Sequence, residues 1–279
     1  MAVTTGSQFY KMKLTPAQLF VAIHRYTNSD QIVPPPSDDI AFDCEGGRVA
    51  VAKVVSILRR TEVKLAKRAN GRGFLQGDVE VDEHSLRSFH VSRRNPLFQK
   101  YAKKAMMSTS HPYFLNFIRV IGIRQRGGGP VKLQFLPPHP LPPNSKPPPL
   151  SNDELIKSRI LCHCKPGCTV VHADGAQAYP ATIRKFFRRL RHRAVSHSNM
   201  EFVKSVTPVR LKSGLSSCKA GTQCIDSTWR TLDDSIPTQL HTKLDHAMNP
   251  LIEEYTFSWL YRVNARSHDG FQLLGKAFR

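Results

Sequence analysis

Residues Gly77–Asp82 read GDVEVD, and this alternation of apolar and acidic residues is the period-two pattern of a strand with one buried face. On that period Glu80 and Asp82 point to the same side of the strand. Working outward, Tyr113–Arg124 is rich in aromatic and β-branched residues, a Gly-Gly-Gly-Pro turn follows it, and Val131–Leu136 resumes the strand pattern. The sequence therefore predicts a first strand followed by a β-hairpin.

The chain then changes to an alternation of helix and strand patterns. Between residues 137 and 149 eight of thirteen residues are proline, which excludes helix and sheet and predicts an exposed linker or insertion, with a proline-motif ligand as an alternative. Beyond it we expect a helix at Asp153–Ile160, a short buried strand at Thr169–His172 and a strongly basic helix at Ala181–Arg191. This order predicts an α/β fold.

Ahead of the first strand, the sequence predicts a helical extension over residues 1–70. Thr15-Pro16-Ala17-Gln18 supplies an N-cap, a proline at the first helical position and a capping-box partner, so a helix is expected at Pro16–Tyr26. A proline-rich break at residues 34–39 precedes a second helix at Val49–Lys67, which is apolar on one side and basic on the other. The pair is interpreted as a helix-turn-helix DNA reader or, alternatively, as helices with a solvated basic face.

The charge balance points to a polyanionic partner. Lysine and arginine total 41 against 21 acidic residues, a formal net charge of +20. Nucleic acid is the first candidate and an anionic membrane surface the second. No apolar run approaches the roughly 20 residues that span a bilayer, and the first residues lack the apolar core of a signal peptide, so we expect a soluble intracellular protein with reduced cysteines.

Three acidic residues stand out because each lies at the edge of an apolar element. Asp82 is expected to end the first strand, and Asp174 follows the Thr169–His172 strand. Asp226 lies in a predicted helix whose apolar face is formed by Ile225, Trp229 and Leu232. Acids beside buried elements are unfavourable unless they are paired or bind a metal, so these three are candidate site residues, although each alone is more often a cap or turn residue.

Six short blocks, taken together, resemble a known family. In chain order they are VEVDE (79–83), RVIGIRQRGG (119–128), VVHADGAQAY (170–179), AVSHSNMEFV (194–203), TQCIDSTWRTL (222–232) and FSWLYRVN (257–264). They are similar to the catalytic domain of Merlin-superfamily DDE transposases and of their bacterial insertion-sequence (ISXO-like) relatives. The resemblance covers roughly Gly77 to Asn264.

The resemblance implies a ribonuclease-H-like domain over residues 71–279, with a mixed sheet flanked by helices. It implies that Asp82, Asp174 and Asp226 are catalytic and hold two Mg²⁺ or Mn²⁺ ions for DNA strand cleavage and strand transfer in transposition. The implied partner is DNA, both element ends and target, with no small-molecule substrate and with homo-oligomerisation left open. The implied location is the nucleus in a eukaryotic host and the cytoplasm or nucleoid in a bacterial one.

Three departures from the family pattern support an alternative, a catalytically silent, domesticated DNA-binding protein that retains the fold. The third acid of the family is commonly glutamate, whereas Asp226 is one methylene shorter. A lysine often found seven residues later falls on Asp233, and Cys44 is the only cysteine before Asp82, so the zinc ribbon of many bacterial relatives has no counterpart. A basic scaffold protein that binds RNA is a third, weaker alternative.

A cluster of basic residues follows the second acidic block. In the predicted helix Ile183–Arg193, Phe186, Phe187 and Leu190 are expected to face the sheet. The basic residues are expected to contact the DNA backbone beside the active site, although a solvated face or a nuclear-import signal also fits. They are Arg184, Lys185, Arg188, Arg189, Arg191 and Arg193.

Some histidines, cysteines and tryptophans suggest other sites less strongly. Cys162, His163, Cys164, Cys168 and His172 are zinc-ligand types, but the usual C-x₂-C spacing is absent. For His172 and His197 a role in orienting metal ligands competes with simple packing. Trp229 and Trp259 have the spacing of core residues.

Overall fold

The computed structural model describes residues 13–27, 34–95, 98, 112–195, 203–237 and 250–265. The chain forms two compact units, one of Met1–Gly71 with Glu253–Arg279 and one of Arg72–Ile252. None of the helices in the described ranges is long and apolar enough to span a bilayer.

Seven helices are described within these ranges. They are α1 (Pro16–Thr27), α2 (Ser37–Asp43), α3 (Arg48–Asn70), α4 (Asn152–Ser158), α5 (Ala178–Phe186), α6 (Gln223–Ser235) and α7 (Pro250–Asn264).

The strands form one main sheet and two small ones. The main sheet contains β1 (Leu75–Ser92), β2 (Tyr113–Gln125), β3 (Val131–Phe135), β4 (His139–Leu141), β5 (Cys164–Ala173) and β6 (Arg191–Ala194). The small sheets are formed by β7 (Val203–Ser205), β8 (Arg210–Leu211), β9 (Gly214–Leu215) and β10 (Lys219–Gly221).

The predicted N-terminal helices are present in the helical unit. The Thr15 hydroxyl accepts a hydrogen bond from the Gln18 backbone N–H at 3.2 Å, and the Gln18 side chain accepts one from Thr15 N at 2.9 Å, which is the expected capping box of α1. The expected break at residues 34–39 is only partly correct, because α2 begins at Ser37. Asp38 and Asp39 stand in its first turn, where acidic side chains are favourable.

A buried carboxylate lies at the centre of the helical unit. Glu62 on α3 is almost fully buried and accepts hydrogen bonds from the Tyr26 hydroxyl at 2.8 Å and from the Ser258 hydroxyl of α7. The Arg262 guanidinium pairs with it at 2.9 Å. Burial raises the pKa of Glu62, while Arg262 and these hydrogen bonds act in the opposite direction. Trp259, which follows Ser258 on α7, is buried, as expected of a core residue.

The main sheet is mixed, with strand order β3-β2-β1-β5-β6 and β4 paired with β2. Strands β1, β2 and β3 are antiparallel, whereas β1, β5 and β6 are parallel. The apolar side chains of β1 face a core shared with Leu155 of α4 and with Tyr179 and Ile183 of α5. The predicted α/β class, with a mixed sheet flanked by helices, is confirmed.

Two predictions about the strands are wrong. Asp82 does not end the first strand, because β1 continues to Ser92 in a long pairing with β2. The proline-rich insertion contains the strand β4, in which Pro140 lies opposite Asn116 of β2. Proline is tolerated there because a strand that pairs along a single side leaves its other backbone groups outside the ladder.

The prediction of a long basic helix is also wrong. Helix α5 ends at Phe186, and the chain turns so that Leu190 is buried and Arg191–Ala194 forms β6 beside β5. Phe186 is exposed rather than packed on the sheet. Parallel pairing with β5, a long-range interaction, overrides the local helical pattern in this segment.

Candidate functional site

The parallel pairing of β1 with β5 brings two of the predicted acids level with each other. Glu80 of β1 lies opposite His172 of β5 in the sheet register. Asp82 follows Glu80 by two residues on β1, and Asp174 follows His172 by two residues, directly after the last residue of β5. Because side chains alternate along a strand, both acids continue the face that carries Glu80 and His172.

The third acid is brought to the same face by α6. The Trp229 indole N–H donates to Asp82 Oδ2 at 2.9 Å. Its ring packs over Gly122, which lies opposite Asp82 on β2, and a Cβ at Gly122 would come within 2.4 Å of the indole. Asp226 precedes Trp229 by three positions on α6, so the two side chains share one side of the helix.

The pKa of Asp82 is affected by burial and by the charges of the other two predicted acids. The pKa of Asp82 is raised to about 7, first by burial, with the charges of Asp174 and Asp226 adding to the effect and the hydrogen bond from Trp229 opposing it. Asp82 is thus influenced by the charges of both other predicted acids, although they are far from it in sequence.

Hydrogen bonds orient the other two carboxylates. Asp174 Oδ1 accepts a hydrogen bond from the Ala176 backbone N–H at 3.1 Å. Asp226 Oδ2 accepts one from the Thr222 hydroxyl at 3.2 Å, at the start of α6. Asp174 is half-buried and Asp226 is exposed, so the group runs from the sheet toward solvent.

Glu80, on the same face as Asp82, has a structural role. Its buried carboxylate receives the Arg126 guanidinium Nε at 2.7 Å and the Ile225 backbone N–H, in the first turn of α6, at 2.9 Å. A carboxylate at a helix N-terminus is favourable because it satisfies exposed N–H groups and complements the helix dipole. Glu80 thus holds α6 against β1 and positions Asp226.

His172 and Asp78 form a second structural contact on this face. His172 Nε2 lies 2.7 Å from Asp78 Oδ1, and Asp78 Oδ2 accepts a hydrogen bond from Ser217 N at 2.7 Å. The pKa of His172 is lowered to about 4, mainly by burial, so the ring is neutral near pH 7 and donates to Asp78. His172 therefore behaves as a packed histidine, and His197 lies outside the described residues.

Asp233, at the position where a lysine is expected from the resemblance, connects α6 to β1. Its carboxylate pairs with His84 Nε2 at 2.9 Å and with Arg87 Nη1 at 3.4 Å. His84 also stacks on Trp229, with ring centroids 5.4 Å apart. Asp233 thus contributes to the packing that holds Trp229 against Asp82.

The predicted nucleic-acid-binding residues lie in three different elements. Those exposed to solvent are Arg184, Lys185, Arg188, Arg189 and Arg191, whereas Arg193 is half-buried. Arg193 donates to the Ser217 carbonyl at 2.7 Å and to the Thr207 carbonyl, so it has a structural role in holding the backbone at these two residues.

The expectation that this basic cluster contacts DNA stays a prediction, and its central residues, Arg188 and Arg189, lie toward the opposite end of β5 from Asp174. The Gly167 backbone N–H donates to the Arg189 carbonyl at 2.9 Å, which places the turn at Arg188 and Arg189 near the start of β5. Asp174 lies seven residues further along, or about 23 Å at the usual rise of a strand.

The donor set of the three acids fits a hard divalent cation. Carboxylate oxygens are the ligands that Mg²⁺ and Mn²⁺ prefer, and a cation would relieve the repulsion that opposes ionisation of Asp82. Within the described parts of the chain, however, no group of three or more His, Cys, Asp or Glu side chains is arranged so that it could hold a metal ion. All six cysteines are free thiols, and Cys162 is exposed while Cys164 and Cys168 are buried.

Local sequence patterns do not reveal the groups that hold the site together. Gly122 could have been recognised as a point of close approach, because a glycine inside an otherwise bulky strand often marks one. Glu80 was noted only for sharing a side with Asp82, and no local pattern connects it with Arg126 or the start of α6. The core position of Trp229 was expected, but its hydrogen bond to Asp82 was not.

No protein-family model matches the chain, and no curated protein matches it significantly.

Proposed function

We propose that residues 72–252 form a DDE-type transposase domain that cleaves and joins DNA strands with divalent metal ions held by Asp82, Asp174 and Asp226. The observation that carries the proposal is the hydrogen bond from Trp229 of α6 to Asp82, together with the parallel pairing of β1 with β5, the strand that Asp174 follows. The charges of Asp174 and Asp226 also raise the pKa of Asp82. Transposase resemblance and the net charge of +20 support DNA as the substrate.

The order of elements supports a ribonuclease-H-like fold within this proposal. Three antiparallel strands, with the short β4 paired to β2, are followed by two strands parallel to β1 in a single six-stranded sheet. Asp82 lies on the first strand and Asp226 on a later helix, as the resemblance implies. Asp174 follows the fifth strand rather than the fourth that the resemblance implies, because the short strand β4 intervenes.

The protein's own residues would bind and orient the reacting groups. Asp82 and Asp174 would hold a cation from the sheet, and Asp226 would approach it from α6. A bound Mg²⁺ or Mn²⁺ pair would supply activation of the attacking oxygen and stabilisation of the leaving oxygen. Trp229 would keep the Asp82 carboxylate oriented and exclude water from one side of it, and no protein nucleophile is required.

The test combines metal binding with DNA nicking. We expect the protein to bind Mn²⁺ in a calorimetric titration and to nick DNA from the two flanks of its gene, with supercoiled plasmid as a second substrate. Asp82→Asn and Asp174→Asn should reduce nicking to background, because an amide preserves the shape of the side chain but loses the charge that holds the cation. Asp234→Asn, in the last turn of α6, is a control that should retain activity. Unimpaired nicking by both asparagine variants would overturn the proposal.

The second candidate function is a DNA-binding descendant without catalytic activity. Two observations favour it. Asp226 is exposed, and the position at which the family pattern has a lysine is occupied by Asp233, which pairs with His84 and Arg87. This candidate predicts DNA binding without nicking in either Mg²⁺ or Mn²⁺.

Asp226→Glu separates the two candidates. If Asp226 is a ligand limited by its length, the extra methylene should raise nicking; if the backbone has adjusted to aspartate, it should lower nicking. Either response would show that Asp226 is coupled to the chemistry. An inactive parent together with an inactive Asp226→Glu variant, on the same DNA, would favour the silent descendant.

A further inference from the structure

Exposed basic residues from three separate segments of the chain meet around Gly167, near the start of β5. The Gly167 backbone N–H donates to the Arg189 carbonyl at 2.9 Å, and the Gly167 carbonyl accepts a hydrogen bond from the Lys212 backbone N–H at 3.3 Å. Lys165 precedes Gly167 by two residues, and Arg188 is the neighbour of Arg189. All four basic residues are exposed, and together they form what we call the basic patch: Lys165, Arg188, Arg189 and Lys212.

Gly167 permits the close approach of these segments because it has no side chain. Its φ is +74°, in the left-handed region that favours glycine, and the Cδ and Cε carbons of Lys212 lie 3.9 Å from the place that a Cβ would take. The Ser213 hydroxyl donates to the Cys168 carbonyl at 2.8 Å, so the loop that carries Lys212 is fixed to β5. Backbone contacts and glycine geometry therefore hold the basic patch together.

The basic patch has no acidic residues in the segments that form it. Residues 160–169 contain one lysine, residues 184–195 contain six lysine or arginine residues and residues 203–221 contain four, and none of the three segments contains aspartate or glutamate. No member of the basic patch forms an ion pair with a described residue. Like charges held together at a surface without counter-charges create a positive potential that attracts a polyanion.

The basic patch and the predicted acids lie toward opposite ends of β5. Gly167 is near the start of the strand, whereas Asp174 directly follows its last residue. Seven residues of strand correspond to about 23 Å. That length equals about seven base pairs of duplex DNA, in which successive phosphates of one strand are about 3.4 Å apart along the axis. A duplex is therefore long enough to span both ends of the strand.

Duplex DNA fits the basic patch better than an anionic membrane does. Proteins that lie on a membrane usually present an amphipathic helix with an apolar side that enters the lipid, whereas the basic patch is built from three loop segments. Arg188 and Arg189 carry planar guanidinium groups, which can donate two hydrogen bonds to one phosphate. The formal net charge of +20 is of the same sign.

We propose that the basic patch is a phosphate-binding surface that holds duplex DNA at the end of the sheet opposite the predicted acids. The choice of DNA as the partner rests on the proposed function. The surface itself acts through charge and hydrogen bonds to the backbone, so it needs neither a metal ion nor catalysis and has no sequence preference.

The decisive variant replaces Lys165 and Lys212 together by glutamine. These lysines lie outside the basic segment after Ile183, so the variant tests whether the fold joins them to it. Binding is measured in EDTA by fluorescence anisotropy, with a duplex of about 25 base pairs at several salt concentrations. The slope of log affinity against log salt should become shallower by about two units, one for each lost phosphate contact, and affinity near 0.1 M salt should fall by roughly tenfold or more.

The matched control replaces Lys146 and Lys157 by glutamine. Both lysines are exposed in the same compact unit, and the variant loses the same two charges outside the basic patch. Its slope should stay close to that of the parent. Equal losses of slope in the two double variants would show that only the net charge matters, which would overturn the proposal. Equal melting temperatures of the two variants and the parent confirm that all three are folded.

The same measurements separate this proposal from the proposed function. If the Lys165 and Lys212 variant keeps the parent's slope while the parent nicks DNA, the phosphate-binding surface is wrong and the proposed function stands. If the variant loses slope as expected while the parent nicks no DNA in Mg²⁺ or Mn²⁺, the surface stands and the proposed catalytic function fails. A parent that binds phosphatidylserine vesicles but no duplex DNA would overturn the proposal.

Discussion

Glu62 of the helical unit and Asp82 of the sheet unit are both buried carboxylates whose pKa is raised chiefly by burial, but their surroundings are opposite in sign. Glu62 is offset by the Arg262 guanidinium and by hydrogen bonds from neighbouring hydroxyls. For Asp82, the negative charges of Asp174 and Asp226 add to the effect of burial.

The difference separates a structural ion pair from a candidate site. A buried carboxylate that pairs with a guanidinium has its charge balanced within the protein, and such a pair joins helices. A buried acid beside further acids is incomplete in electrostatic terms, and strongly perturbed acids of this kind concentrate at functional sites. Glu80 shows that position on the strand decides the outcome, because it lies two residues from Asp82 on the same face yet is neutralised by Arg126.

The largest effect is expected at Glu62. Replacing Glu62 by glutamine would leave the buried Arg262 guanidinium without its counter-charge, and breaking one side of a buried pair typically costs about 3–5 kcal/mol. We expect the free energy of unfolding of the helical unit, measured by denaturant titration, to fall by that amount. Glu253→Gln is the matched control, because its pair with Lys67 is partly exposed and should change stability by about 1 kcal/mol or less. Equal effects for the two variants would remove the distinction drawn for Glu62.

The opposite sign is expected at Asp82. Because the folded-state pKa of Asp82 is about 7 and its ordinary value is 3.8, the folded protein holds this proton more tightly than the unfolded chain. Stability is therefore lost as the pH rises from about 4 to 7. In EDTA, Asp82→Asn should be more stable than the parent at pH 8, and its melting temperature should vary less over that range.

Glu80→Gln provides the contrast to Asp82→Asn on the same strand face. It should be destabilising at pH 8, because it weakens the pair with Arg126 and the contact with the start of α6.

Adding Mn²⁺ should raise the melting temperature of the parent but not of Asp82→Asn. A loss of stability in Asp82→Asn at pH 8 would contradict the comparison.

The smallest effect is expected on DNA binding. Replacing Arg188, Arg189 and Arg191 together by alanine should weaken duplex binding and reduce the slope of log affinity against log salt by about one unit per lost phosphate contact. Fluorescence anisotropy at several salt concentrations measures both quantities. The control replaces Lys53, Arg60 and Lys64 on the exposed side of α3 by alanine. An unchanged slope in the first variant and a reduced slope in the second would place the DNA footprint on the N-terminal helices.

Local patterns predicted most of the individual elements. The capping box at Thr15, the alternation at Gly77–Asp82 and the apolar spacing of Ile225, Trp229 and Leu232 each correspond to an observed helix or strand. These patterns involve only residues that are close together in the sequence, so they can be recognised before the fold is known. The basic segment after Ile183 was mispredicted because its pairing partner, β5, cannot be seen in a local window.

The sequence by itself determined the α/β class, the basic charge and the identity of the three candidate acids. Only the tertiary structure decided how acids of the same strand differ, because Asp78, Glu80 and Asp82 have one local pattern but separate long-range partners. The partners come from distant parts of the chain. His172 and Arg126 form structural contacts with Asp78 and Glu80, whereas Trp229 orients Asp82 by a hydrogen bond. A carboxylate's role depends on which charges the fold brings near it, and that is a property of packing rather than of the residue type.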